Sequence, residues 1–183
     1  MIKNNLTKNR EILAVTSDPY DCIWGYALIF QKMFNNINFA KMTILLNEGG
    51  KSNNLIVNKK CEFVYLKLRK KNYFLRGFEF VIKGLRYTSK KRYDYIISNC
   101  ELAEILLTLT YSKIFRIKSG IFIHDLYTRT KEKKEKILNY IRNYLIKYFD
   151  VVLVNNEVIK SKISHPSIFV VGYILCDNYG KTI

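Results

Sequence analysis

Two neighbouring residues in this sequence have the types needed for acid–base work, His124 and Asp125. An imidazole changes charge near neutral pH, and a carboxylate beside it can orient it or offset its charge. His124 is one of only 2 histidines in the 183 residues, so its placement carries information. The pair ends the run Ser119-Gly120-Ile121-Phe122-Ile123, which reads as a buried parallel strand delivering both side chains into a crevice. In open α/β sheets, ligands bind outside the carboxyl ends of the strands. The same two residues also fit a strand-to-loop turn in which they bond only to backbone. At this level both readings stand.

Two further stretches offer binding groups. The loop Asp18-Pro19-Tyr20-Asp21-Cys22-Ile23-Trp24-Gly25 follows the first apolar run, where a doubly wound fold places its phosphate contact, so Asp18, Trp24 and Gly25 are candidate binding residues. No G-x-G-x-x-G is present, which disfavours a dinucleotide site. Backbone amides from Ile23 to Tyr26 would meet a phosphate or hydroxyl at a helix N-terminus, or else Trp24 simply packs. Asn156 and Glu157 form a polar elbow after another apolar run. Cys22, Cys61, Cys100 and Cys176 are scattered, without metal-ligand or disulfide-framework spacing, so no metal and no tightly bound cofactor is expected.

A formal net charge of +16 points to a partner carrying negative charge: nucleic acid, anionic lipid headgroups or a phosphate-bearing substrate. A coding bias toward Lys, Asn, Ile and Tyr would give the same composition. Lysine far outnumbers arginine, against the bidentate contacts that nucleic-acid recognition favours. The charge is densest from Lys67 to Arg92, opposed only by Glu79, with Lys70, Lys71, Arg76, Lys83 and Arg86 as candidate anion- or membrane-binding residues. Aromatic and aliphatic residues interleave with them at helical spacing from about Asn72 to Ser89. This predicts an amphipathic helix that either lies on an anionic membrane or covers a sheet with its basic face in solvent.

The elements that position these residues alternate in type. Strands are expected at 11–17, 41–47, 62–68, 93–99, 119–125, 150–157 and 167–172, with the third near a sheet edge because its apolar residues alternate. Helices are expected at 25–34, 72–89, 101–115 (buried on nearly all sides and capped by Ser98 or Asn99), up to about 148, and 158–163. Strand–helix alternation demands parallel strands and right-handed crossovers, hence a single three-layer, doubly wound Rossmann-like α/β domain of about seven strands over 1–183. No apolar run approaches the roughly 20 residues of a membrane span. The polar start, Met1 to Arg10, does not read as a signal peptide, and a cytoplasmic protein is expected.

Three stretches, in this order, resemble the N-terminal domain of GT-B glycosyltransferases of the retaining family-4 kind. They are Ile121-Phe122-Ile123-His124-Asp125, Tyr148 to Glu157 (with Asn156 where a serine is usual) and Phe169 to Ile174. The resemblance covers nearly the whole chain. It implies that His124 contacts the donor sugar or its transition state and that Asp125, Asn156 and Glu157 line the cleft. It also implies a nucleotide sugar as donor and a membrane or lipid-linked acceptor near the basic helix. The Gly-rich first loop of the family is reduced here to Gly25, and the second Rossmann domain is missing.

The first expectation is therefore the acceptor-side half of a glycosyltransferase, acting at the inner face of the membrane with a C-terminal half in trans or as a homo-oligomer. The alternative is a non-catalytic basic module binding anionic membrane or, less well supported, nucleic acid. A self-contained small enzyme on a phosphate-bearing substrate ranks last.

Overall fold

A computed structural model of the chain describes residues 10–19, 41–47, 61–124 and 133–171, with backbone alone at 18, 19 and 133–135. The strands are β1 (Glu11–Pro19), β2 (Lys41–Asn47), β3 (Cys61–Leu66), β4 (Tyr95–Ser98), β5 (Lys118–Ile123), β6 (Val151–Val154) and β7 (Ile168–Val170). The helices are α1 (Tyr73–Thr88), α2 (Leu102–Phe115), α3 (Lys133–Ile146) and α4 (Glu157–Lys160). The strands form one 7-stranded sheet in the order β3-β2-β1-β4-β5-β6-β7. Every pairing is parallel. This is the expected Rossmann-like α/β architecture, and β3 lies at an edge as its alternation predicts.

The apolar runs form strands because both sheet faces are buried. Leu13 and Val15 of β1 face a cluster with Leu45, Ile96, Phe80 of α1 and Leu107 and Tyr111 of α2. Ile12 and Ala14 face the other side with Met42, Ile44, Leu46, Ile97 and Phe122. A third cluster joins Ile121 and Ile123 of β5 and Val152 and Val154 of β6 to Ile105, Ile146 and Ile159. All four described helices thus contribute to the side of the sheet that Leu13 and Ile121 face. The helix expected at 25–34 lies outside the described residues.

Local chemistry sets the helix ends. Asn72 caps α1, its side chain accepting from the amides of Phe74 and Leu75 at 3.0 and 3.4 Å. Helix α2 departs from expectation at its start: its N-cap is Glu101, with no side-chain cap bond, and Asn99 and Ser98 are buried instead. Asn99 is drawn to a spatial neighbour, its Nδ2 donating to Thr16 Oγ1 at 3.2 Å. Nor is α2 buried all round, since Leu106 and Ile114 face outward.

Glycines let α1 and α2 pack closely. A Cβ on Gly84 would meet Leu107 Cδ2 at 2.5 Å and Leu45 Cδ2 at 3.3 Å, whereas one on Gly77 would meet Ala103 Cβ at an ordinary 3.4 Å. Gly84→Val is expected to cost about 2–3 kcal/mol by overpacking. Gly77→Ala is expected to be neutral or to stabilise by up to about 1 kcal/mol through helix propensity. Urea unfolding midpoints of the two variants check this contrast.

Candidate functional site

The strand order reverses direction at β1 and β4, so the connections on either side run away from each other and leave a crevice at the C-terminal ends of the strands. Each strand around that reversal ends in polar side chains. In sheet order they are Asn47, the last residue of β2, Thr16 and Ser17 of β1, Ser98 and Asn99 at β4, His124 after β5 and Asn155 after β6. Apart from Ser17 and His124, which are part-exposed, all are buried.

At the reversal itself, Glu104 is fully buried in the first turn of α2, where the helix dipole favours negative charge. Its Oε1 accepts from the Ser17 amide and, at 2.7 Å, from Ser17 Oγ. Asn47 Oδ1, Ser98 Oγ and Asn99 Oδ1 are buried and have no hydrogen-bond partner among the described residues. Such groups destabilise unless paired, and of the three residues Asn47 lines the cavity described below.

His124 sits one strand further along. Its Nδ1 lies 3.0 Å from Asn155 Nδ2. An amide nitrogen can only donate, so Nδ1 accepts and the ring proton of the neutral imidazole is on Nε2. Asn155 is itself buried and holds the ring in that form.

A cavity of about 780 Å³ opens at the same edge. Ser17 and Asn47 supply polar lining, and Phe74, Phe78, Leu102 and Leu106 from the first halves of α1 and α2 supply apolar walls. The site therefore pairs hydroxyl-binding groups with a greasy recess.

The other sequence candidates lie as follows. Trp24, Gly25 and Asp125 fall outside the described residues, and Asp18 is described only as backbone, within β1 rather than in a loop. Asn156 spends its Oδ1 on the Ile159 amide, at 2.9 Å, as the N-cap of α4. Glu157 is exposed and pairs with Lys160 at 3.2 Å. Asp150, in the second resembling stretch, stands at the opposite end of β6, where it accepts from the Ser119 amide at 2.8 Å and pairs with Lys118.

Lys70, Lys71, Arg76 and Arg86 are exposed, whereas Lys83 is partly tied down by Glu79 at 2.7 Å. Sequence reading missed Ser17, Asn47, Asn99, Glu104 and Asn155 as a group. The available signal was that each apolar run ends in Ser, Thr, Asn or His.

Parallel strands, one reversal and a crevice at their carboxyl ends define a Rossmann-like domain. No family model and no curated protein matches the sequence. Solved structures do match. The structure of TcCGT1 in complex with UDP superposes with TM-score 0.68, at 10% identity, over 91% of this chain and 51% of that one. Arabidopsis thaliana UGT89C1 complexed with UDP-L-rhamnose gives 0.63, at 13% identity, over 92% and 50%. UDP-GlcNAc 2-epimerase from Methanocaldococcus jannaschii gives 0.57, at 14% identity, over 90% and 45%. At these identities the likeness is one of fold, that of GT-B glycosyltransferases and the epimerase, and the chain spans about half the length of the structures it matches.

Two measurements check these contacts. Nitrogen NMR of the His124 ring should show the Nε2–H tautomer, and Asn155→Leu should mix the two tautomers; a dominant Nδ1–H form would contradict the geometry. The second concerns α1. Glu79 is held down at about 2 from its ordinary 4.5, first by Lys83 and then by the Lys70 and Arg69 amides. Because the folded value is the lower one, this contribution is fully present above pH 4.5 and is lost as pH falls through about 2. Across that window the melting temperature should fall more steeply for the wild type than for Glu79→Gln.

Proposed function

We propose that the chain is the acceptor-side, N-terminal half of a nucleotide-sugar-dependent glycosyltransferase of the retaining, family-4-like kind. A second Rossmann-like half completes the cleft. The observation that carries this reading is the row of neutral hydrogen-bonding side chains at the ends of five adjacent strands, from Asn47 through Ser17, Asn99 and His124 to Asn155. Neutral donors and acceptors match sugar hydroxyls, which carry both functions and no charge. Support comes from the fold neighbours, two of which are described with UDP or a UDP-sugar bound.

In the reaction, the anomeric carbon loses its bond to the diphosphate oxygen and gains one to the acceptor oxygen, and the acceptor proton passes to the departing diphosphate. His124, at the end of β5 beside Asn155, is the residue placed to meet a sugar hydroxyl or its transition state. The apolar walls of the cavity suit an acceptor with a lipid or aromatic portion. The second half supplies the diphosphate contacts and excludes water when the cleft closes.

Native mass spectrometry of the tagged chain from its own cells identifies the partner half, and the pair is then assayed with nucleotide sugars. His124→Ala should lower transfer about a hundredfold or more, with the melting temperature unchanged. Full activity of that variant would remove His124 from the mechanism. No transfer from any nucleotide sugar by the wild-type pair would refute the function.

A further inference from the structure

The helices turn a second set of apolar residues away from the sheet. On α1 the buried stripe is Phe80, Gly84 and Thr88, and on the opposite side Leu75, Phe78 and Ile82 are exposed, Phe78 by 67%. On α2, Leu106 and Ile114 face outward. On α3, Arg142 and Ile146 are buried, whereas Ile137, Tyr140 and Tyr144 are exposed, Tyr140 by 73%. The spacings i, i+3, i+7 in α1 (75, 78, 82) and α3 (137, 140, 144) each make one stripe along a helix.

The three helices are locked side by side. Glu101 Oε2, at the cap of α2, accepts from Tyr73 Oη of α1 at 3.0 Å and from Arg142 Nη2 of α3 at 2.9 Å. Their stripes therefore belong to one outer face of the helical layer, and such extended exposed apolar area marks a binding surface.

Charge selects the occupant. Arg76, Arg86, Lys113 and Lys136 on these helices and Lys147 just after α3 are exposed. Among the described side chains of these helices and their caps, the carboxylates are Glu79, Glu101 and Glu104, and each is engaged within the protein. Lys147 Nζ lies 3.6 Å from the centre of the Tyr144 ring, a cation beside an amphipathic aromatic of the type enriched at membrane–water boundaries. A second copy of this chain would set cations against cations at a net charge of +16 each, which disfavours self-association through this face.

We propose that the outer face of α1, α2 and α3 seats the protein on an anionic lipid surface, with the apolar stripes entering the headgroup–acyl boundary and the basic residues meeting lipid phosphates. No helix among the described residues is long and apolar enough to cross a membrane, so the contact is peripheral. Phe74, Phe78 and Leu106 line the cavity and are also exposed on these helices, so the cavity borders this face. The seating holds whether or not the chain transfers sugars.

Flotation of the full chain with vesicles of phosphatidylcholine, with and without phosphatidylglycerol, tests it. Binding should require phosphatidylglycerol and weaken as salt is added. Arg86→Ala and Lys113→Ala should each weaken it about fivefold. The double variant Phe78→Ser, Tyr140→Ser should weaken it by more than about tenfold, with unchanged circular dichroism and melting. Failure to bind phosphatidylglycerol vesicles would overturn the proposal. So would undiminished binding by the folded double variant. Protection of the same residues by an acidic protein without vesicle binding would assign the face to a protein partner instead.

Discussion

Parallel pairing of β1 with both β2 and β4 is the constraint on which the rest of the molecule depends. A strand with parallel neighbours on each side sends every C-terminal end to one edge, and the reversal there prevents the connections from closing over it. The register is fixed because both faces of β1 are buried: moving it by one residue would exchange the Leu13–Val15 set with the Ile12–Ala14 set against cores shaped for the other. That same register brings Val15 level with Leu45 and Ser98 and so sets Thr16 beside Asn99, whereas toward β2 the register shifts after Val15 and Asn47 pairs with Pro19. The candidate site thus follows from the packing of apolar residues several ångströms away from it.

Helix α2 converts this edge into a chemically defined place. Its first turn brings Glu104 under β1, where Ser17 answers the buried carboxylate through both its amide and its hydroxyl. Its N-cap residue, Glu101, gathers α1 and α3 through Tyr73 and Arg142. One helix start therefore anchors the crevice on one side and the helical layer on the other. A buried or half-buried carboxylate that loses such partners destabilises the fold, which ties the site's geometry to the protein's stability.

The strands were legible in the sequence because apolar runs such as Ile12–Val15 and Val151–Val154 have no other stable home than a sheet buried on both faces. The bounds of α1 were legible because Asn72 is a capping residue in front of a periodic segment. Asn99 carries the same local signal before α2, yet Thr16, 83 positions away, takes its side chain. The contact of His124 with Asn155 was hidden for a related reason: Asn155, 31 positions away in sequence, is brought to it only when β6 pairs with β5. The outward stripe of α1 was equally hidden. Apolar residues at helical spacing predict a buried side, and only packing decides that Phe80 goes in and Phe78 stays out.

Side-chain amide NMR tests most directly whether the polar strand ends bind a sugar. Asn47, Asn99 and Asn155 each report through their own NH₂ group, and His124 reports through its ring. Titration with a nucleotide sugar should shift the Asn99, Asn155 and His124 signals in a sugar-dependent way that the free nucleotide does not reproduce. Shifts confined to the opposite end of the sheet, around Asp94 and Asp150, or no shift at these strand ends, would contradict sugar binding there.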